Sequence, residues 1–249
     1  MKKQYRYMAA ALFLLLCWQV ISWIAGEIVI PSPGKVLLLL FSEMQKGRFW
    51  QHVGASSLRI TAALVISFVL AVPLGLLLGT SKRLDRWMKP LIYLSYPVPK
   101  IVLLPLIFLV FGIGDSGKIA MLALILFFQL LITTRDAARE VSVEMKYSLL
   151  SLGGGRWDMF RHVIWPSCLP GVFTALRIAT GTVVAVLFFV ESIGTRFGLG
   201  FYILDAWGRA DTTQMFVGIL LLAGMGVILY ESFDIMERVF CRWKKVARS

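Results

Sequence analysis

Six stretches of this chain are apolar over about the length of a bilayer-spanning helix, and a water-soluble domain of 249 residues has no room to bury six such runs. A hydrocarbon core of about 30 Å needs roughly 20 apolar residues at 1.5 Å each. The runs are approximately Met8 to Ala25, Leu58 to Gly79, Leu91 to Phe111, Lys118 to Thr133, Pro170 to Val190 and Met215 to Phe233, the fourth rather short. In lipid every backbone N–H and C=O must be satisfied within the protein, which turns six runs of this length into helices. The expectation is an all-α membrane protein with about six transmembrane helices. Composition agrees, with 58% hydrophobic and only 16% charged residues, against about 25% charged in a soluble domain.

The first run follows Lys2, Lys3 and Arg6, as a signal peptide would, and "WIAG" resembles a weak cleavage site. Its 18 residues exceed a signal peptide's apolar stretch of about 7 to 15, so it reads as a retained signal anchor.

The positions of Lys and Arg set the orientation. With the N-terminus inside, 17 of them fall in cytoplasmic segments, six outside, and Arg59, Lys100 and Arg177 within apolar runs. Basic residues accumulate on the cytoplasmic side, so both termini are expected inside, in the cytoplasmic (inner) membrane. The net charge of +12 then has its origin in the membrane, and no nucleic acid partner is expected. Cys17, Cys168 and Cys241 are scattered, with neither a disulfide framework nor metal-ligand spacing.

Residues 111–120, "FGIGDSGKIA", read G-x-x-x-x-G-K followed by Ile119, one hydroxyl short of a phosphate-binding loop. The segment falls between the third and fourth spans, on the outer side, and a membrane helix precedes it instead of a strand. Gly112, Gly114, Asp115 and Gly117 therefore read as a tight turn. No cofactor site is expected in this chain.

One cytoplasmic loop, residues 135–171, is long. Gly153, Gly154 and Gly155 interrupt it, and beyond them Trp157, Phe160 and Ile164 share one helical face, with Arg156, Asp158 and Arg161 largely elsewhere. A short amphipathic helix follows from that spacing. It suits either the lipid surface or a groove on a cytoplasmic partner.

The spacing resembles that of permease subunits of ATP-binding-cassette importers: E-A-A, three residues, Gly, nine residues, then I-x-L-P. Tyr147, Ser148 and Leu149 stand at the E-A-A positions, Gly153 follows after three residues, and after nine more come Val163, Ile164, Trp165 and Pro166. The acidic residue is replaced by Tyr147, with Glu144 nearly a turn earlier. "RITAALVISFVLAVPLGLLLG", "YPVPKIVLLPLIFLVFGIGDSGKI", "LPGVFTALRIATG" and "ESIGTRFGLGFYILDA" are similar to segments of the nitrate, sulfonate and taurine type.

The resemblance implies a type I importer transmembrane fold with a cytoplasmic coupling helix, divided as residues 1–53 (first span and external amphipathic segment), 54–240 (permease core) and 241–249 (basic tail). It implies a second permease copy, two ATPase subunits holding ATP and Mg, and an external solute-binding protein. Gly153, Arg156, Trp157, Phe160, Arg161, Val163 and Pro166 would form the ATPase-coupling elbow. Gly153 would make the sharp turn, Trp157 and Phe160 would carry the docking face, and Pro166 with Pro170 would end the elbow and start the fifth span.

Charges within a bilayer are costly and often mark pathways. Lys100 and Arg177 fall at similar depths in the inner half, and with Glu191 they are the candidate path residues, suited to a small anion such as nitrate, a sulfonate or bicarbonate. Structural roles compete: Lys100 beside Pro99 capping free carbonyls, Arg177 pairing within the subunit. Arg59 and Glu191, both near the outer face, are expected as an ion pair or gate. Residues 192–212 read as an outward or re-entrant loop. The alternatives are a vitamin precursor such as a pyrimidine as substrate, or an ion-coupled carrier, although the chain shows no internal repeat. No H-E-x-x-H or G-x-S-x-G supports an enzyme.

Overall fold

The computed structural model describes residues 2–95 and 97–243, with the backbone alone at Lys2, Lys3, Gln4, Arg6 and Tyr7. The tail cations Lys244, Lys245 and Arg248 lie outside the described residues, as do the side chains of Lys2, Lys3 and Arg6. Among the described residues the chain is helical: α1 (Lys2–Ala25), α2 (Pro33–Glu43), α3 (Gly47–Thr80), α4 (Lys82–Ser95), a 3₁₀ turn (Lys100–Leu103), α5 (Leu104–Phe111), α6 (Asp115–Arg139), α7 (Val143–Ser151), α8 (Arg156–Asp158), a π-helical turn (Met159–Ile164), α9 (Trp165–Glu191), α10 (Leu199–Gly208) and α11 (Thr212–Phe240). Five helices are long and apolar enough to cross a membrane, and the α4–α5 pair, bent by 83°, supplies a sixth if counted as one span. Pro97 and Pro99 fall in that break, where the missing N–H groups and the restricted residue before each proline end a helix.

The chain divides into two compact units. One holds the described residues up to Ser57 together with Glu191–Gly224; the other holds Leu58–Val190 and the described residues from Met225 on. Ten-residue α10 stands where a loop was expected over 192–212. In the first unit Trp18 donates its indole N–H to the Pro31 carbonyl at 3.1 Å, Ser22 donates to Ile30 O at 2.7 Å, and Trp18 stacks on Phe216 at 5.8 Å. These contacts tie α1 and the segment after it to α11.

The second unit is built on a close crossing of α3 and α6. Gly75 and Gly79, four residues apart, share one face of α3. A methyl on Gly75 would meet the Thr134 side chain at 2.8 Å, and one on Gly79 would overlap the Arg135 carbonyl. Without a hydrophobic force between helices in lipid, such close backbone packing is a main source of association. Ser67, wholly buried, donates to Ala63 O and lies 2.9 Å from Ala123 O across the same contact. Around the crossing Leu130, Leu131, Ala138, Val172 and Leu176 form the apolar core.

Candidate functional site

The elbow begins where α7 ends. Ser142 caps α7 by accepting the Met145 N–H, and the chain reverses at Gly153, whose φ of 79° only glycine adopts without strain. The Gly153 and Gly154 N–H groups close the end of α7 onto Leu150 O and Leu149 O at 3.0 and 3.1 Å. Asp158 then reaches back to the Gly155 N–H at 2.9 Å and starts the next helix. Trp157 stands 67% exposed beyond the turn, with Leu152 and Tyr147 also exposed. Arg156, Arg161 and Glu144 are exposed as well.

Phe160 and Val163 are placed differently. Val163 is buried in the core of the second unit, and Phe160 packs against that core, stacked between Trp157 at 5.6 Å and Trp165 at 6.4 Å. Of the two aromatic residues expected on a docking face, Trp157 is therefore open and Phe160 is its inward support. Phe160, Ile164 and Trp165 also wall an apolar groove of about 510 Å³ against Phe68, Val72 and Leu76.

The expected stop at Pro166 is corrected by the structure: Arg156–Glu191 is one helical span of 36 residues, running through both Pro166 and Pro170. A proline inside an α-helix lacks its N–H and collides with the carbonyl four residues back. The π-helical turn Met159–Ile164 ends two residues before Pro166 and includes His162, whose carbonyl lies four residues back, where the wider ladder leaves more room for the ring. Elbow and membrane helix are therefore continuous.

The intramembrane charges have partners. Arg177 pairs with Asp234 at 2.8 Å and Glu237 at 2.6 Å and donates to Thr174 at 3.1 Å, so two carboxylates of α11 offset its charge. Lys100 donates to Ser95 O at 3.0 Å, closing a carbonyl freed at the proline break, and stands 4.9 Å from the Phe128 ring. Arg59 is buried on α3 and pairs with Asp115 at 2.6 Å. Glu191 is fully buried; its carboxylate accepts the Gly200 N–H at 2.9 Å and the Ser56 hydroxyl at 2.8 Å, while Ser56 Oγ accepts the Leu199 N–H at 2.8 Å. Glu191 and Ser56 thereby close the open N–H groups at the start of α10, where negative charge is favoured.

The P-loop-like segment is a turn, with Gly112 at φ 80° and Gly114 capping α6. Lys118, at the start of the fourth apolar run, is 1% exposed and donates to the Ile113 carbonyl. No group of three or more His, Cys, Asp or Glu among the described residues is arranged to hold a metal.

Sequence reasoning missed Ser56, Asp115, Asp234 and Glu237 as partners. Asp234 and Glu237 were discoverable: two carboxylates three residues apart at the end of an apolar helix call for a cation. Ser56, one of two adjacent serines, carries no such signal.

A bundle of membrane-length helices, with exposed Trp157 at the head of the continuous Arg156–Glu191 helix, has the form of a transporter's membrane subunit. The chain belongs to the binding-protein-dependent transport system inner membrane component family, which matches residues 71–245. It is 30% identical to the taurine transport system permease protein of Escherichia coli (strain K12) over 94% of this chain and 87% of that protein. It is 26% identical to the formylaminopyrimidine transport permease protein of Halalkalibacterium halodurans over 98% and 99% of the two chains. A chain from an inward-facing structure of the MetNI methionine ABC transporter superposes with a TM-score of 0.65 at 19% identity, covering 77% of this chain and 96% of that one. The fold is that of a type I importer transmembrane domain, and the chain is an importer permease.

Proposed function

We propose that this permease carries a small organic or inorganic anion of the sulfonate, nitrate or bicarbonate kind, driven by ATP bound with Mg on a separate ATPase that docks at the elbow. The supporting observation is Trp157, open to solvent beyond the Gly153 turn, at the head of a helix continuous to Glu191. A push or pull at Trp157 travels along one helix instead of being absorbed at a joint, the requirement for rocking between inward- and outward-open states. Two copies of the permease, two ATPase subunits and an external solute-binding protein complete the assembly, with both termini cytoplasmic. Residues 54–240 form the core, after an N-terminal region 1–53 and before a basic tail 241–249. The taurine permease supports the anion. A second reading, a pyrimidine-like solute, is favoured by the formylaminopyrimidine relative and by the neutralisation of Arg177.

The test is copurification from native cells in detergent, with ATPase assay and identification of ligand on the accompanying proteins. Wild type is expected to bring down an ATPase, and Trp157→Asp and Gly153→Pro to lose it by about tenfold or more, equivalent to about 1.4 kcal/mol. An ATPase retained by both variants refutes coupling at the elbow.

A further inference from the structure

The first unit holds a cavity of about 660 Å³ that none of the transport argument uses. That volume lies within the range of small-molecule sites. Its walls come from the α2–α3 junction and from α10 with the segment before it. Four cations and two carboxylates line it, but two of the cations are spoken for: Lys46 pairs with Glu43 at 2.6 Å and Arg209 with Asp205 at 2.8 Å. Arg48 and Arg196 make no ion pair or side-chain hydrogen bond among the described residues, and both are exposed at the rim.

The interior is built to the same end. Tyr202 is 5% exposed, and its buried hydroxyl has no hydrogen-bond partner. Glu43 and Gln214 are its polar neighbours and interact with it, though neither is within hydrogen-bond geometry. Burial pushes the phenol up to about 12, keeping it a neutral donor. A buried hydroxyl left unpaired costs about 1–3 kcal/mol, so a native fold retains one where something completes it. Beside it His52 is held at Nδ1 by Gly198 and flanked by the rings of Phe197, Phe201 and Tyr202 at 5.6, 6.0 and 5.3 Å. The cavity thus offers unpaired positive charge at its mouth, one unsatisfied donor in its wall and aromatic surface between them.

We propose that this cavity binds a small free oxyanion, a sulfonate or carboxylate with a short apolar body, with Arg48 and Arg196 taking the charge and the Tyr202 hydroxyl donating to it. The apolar part lies against the aromatic rings. The site adds a binding step outside the membrane path, and its place on the outer face rests on the topology proposed above. An acidic side chain of a partner protein carries the same chemistry, so the experiment separates the two sources.

The purified permease alone, in detergent, is titrated calorimetrically with methanesulfonate, acetate, the neutral analogue methanesulfonamide and a capped acidic peptide. Saturable binding of methanesulfonate or acetate, absent for the sulfonamide and weakened by salt, is expected. The double variant Arg48→Gln/Arg196→Gln is expected to lose at least about tenfold in affinity, and Tyr202→Phe about threefold to tenfold with only a small change in melting temperature. No binding of either free anion up to about 50 mM, a Kd weaker than the millimolar range, overturns the proposal, as does undiminished binding by the double variant. Binding of the peptide alone assigns the cavity to a partner's carboxylate and also overturns it. The readout is independent of ATP hydrolysis, so elbow coupling can fail with this site intact, and the reverse.

Discussion

Two glycine-rich breaks interrupt the second unit, and one glycine in each, Gly117 in the first and Gly153 in the second, is required for an opposite reason. Where the 112–114 turn enters α6 the chain is closed on itself at one glycine: a Cβ on Gly117 would overlap the Gly112 carbonyl and meet the Phe108 ring at 2.9 Å, while Gly112 and Gly114 have open space around them. At residues 153–155 neighbouring glycines differ: Gly153 has a positive φ, and nothing lies within 4 Å of where its Cβ would stand, whereas a Cβ on Gly154 would meet the Leu149 side chain at 2.7 Å and its carbonyl at 3.0 Å. One glycine is required by what surrounds it and the other by its backbone alone. The 112–114 turn joins α5 to α6. Gly153 has open space where its Cβ would stand, in the turn that precedes exposed Trp157.

The sharpest way to break the comparison is the same substitution in both turns. Gly117→Ala is expected to destabilise the protein by about 3 kcal/mol or more, the upper range for overpacking, because the atoms it meets include backbone that cannot rotate away. Thermal unfolding in detergent reads this as a large fall in melting temperature or as lost yield. A variant as stable as wild type would show that the turn has slack and that its resemblance to the elbow is closer than its packing indicates.

The spans, the turn at 112–117, the glycine break at 153–155 and the family spacing were legible because each is a local pattern, a run of apolar residues or a fixed offset. What was not legible is long-range. Pairing of Arg177 within the subunit was one of the two readings, but its partners could not be named until α11 placed Asp234 and Glu237 beside it, 57 and 60 positions away. Glu191 looked like a span-end charge, and its role at the start of α10 depends on Ser56, 135 positions earlier. Pro166 was misread for a different reason. Proline reads as a stop on α-helical geometry, and a π-helical turn changes that geometry without leaving a residue signature.

Gly153→Ala gives the intermediate effect. Alanine in a left-handed conformation costs about 1–2 kcal/mol, and with open space around the methyl no packing loss adds to it. Global melting is expected to move by only a few degrees, while ATPase association falls partway toward the Gly153→Pro value. If melting falls as far as in Gly117→Ala, the elbow is not an independent, open turn.

The smallest expected effect sharpens the closed side. Asp115, at the first position of α6, is 60% exposed on its side chain yet pairs with buried Arg59 at 2.6 Å. Its carboxylate serves the Arg59 ion pair and also meets the positive end of α6. Solvent screens an exposed partner, so Asp115→Asn is expected to cost about 1 kcal/mol or less, read as a melting shift that shrinks as salt is raised. Arg59 is buried at the other end of the same pair, so Arg59→Gln should cost more than its partner's substitution. Equal losses from the two would mean that the carboxylate is buried in the membrane-embedded protein, making the entry to α6 a charged, closed joint.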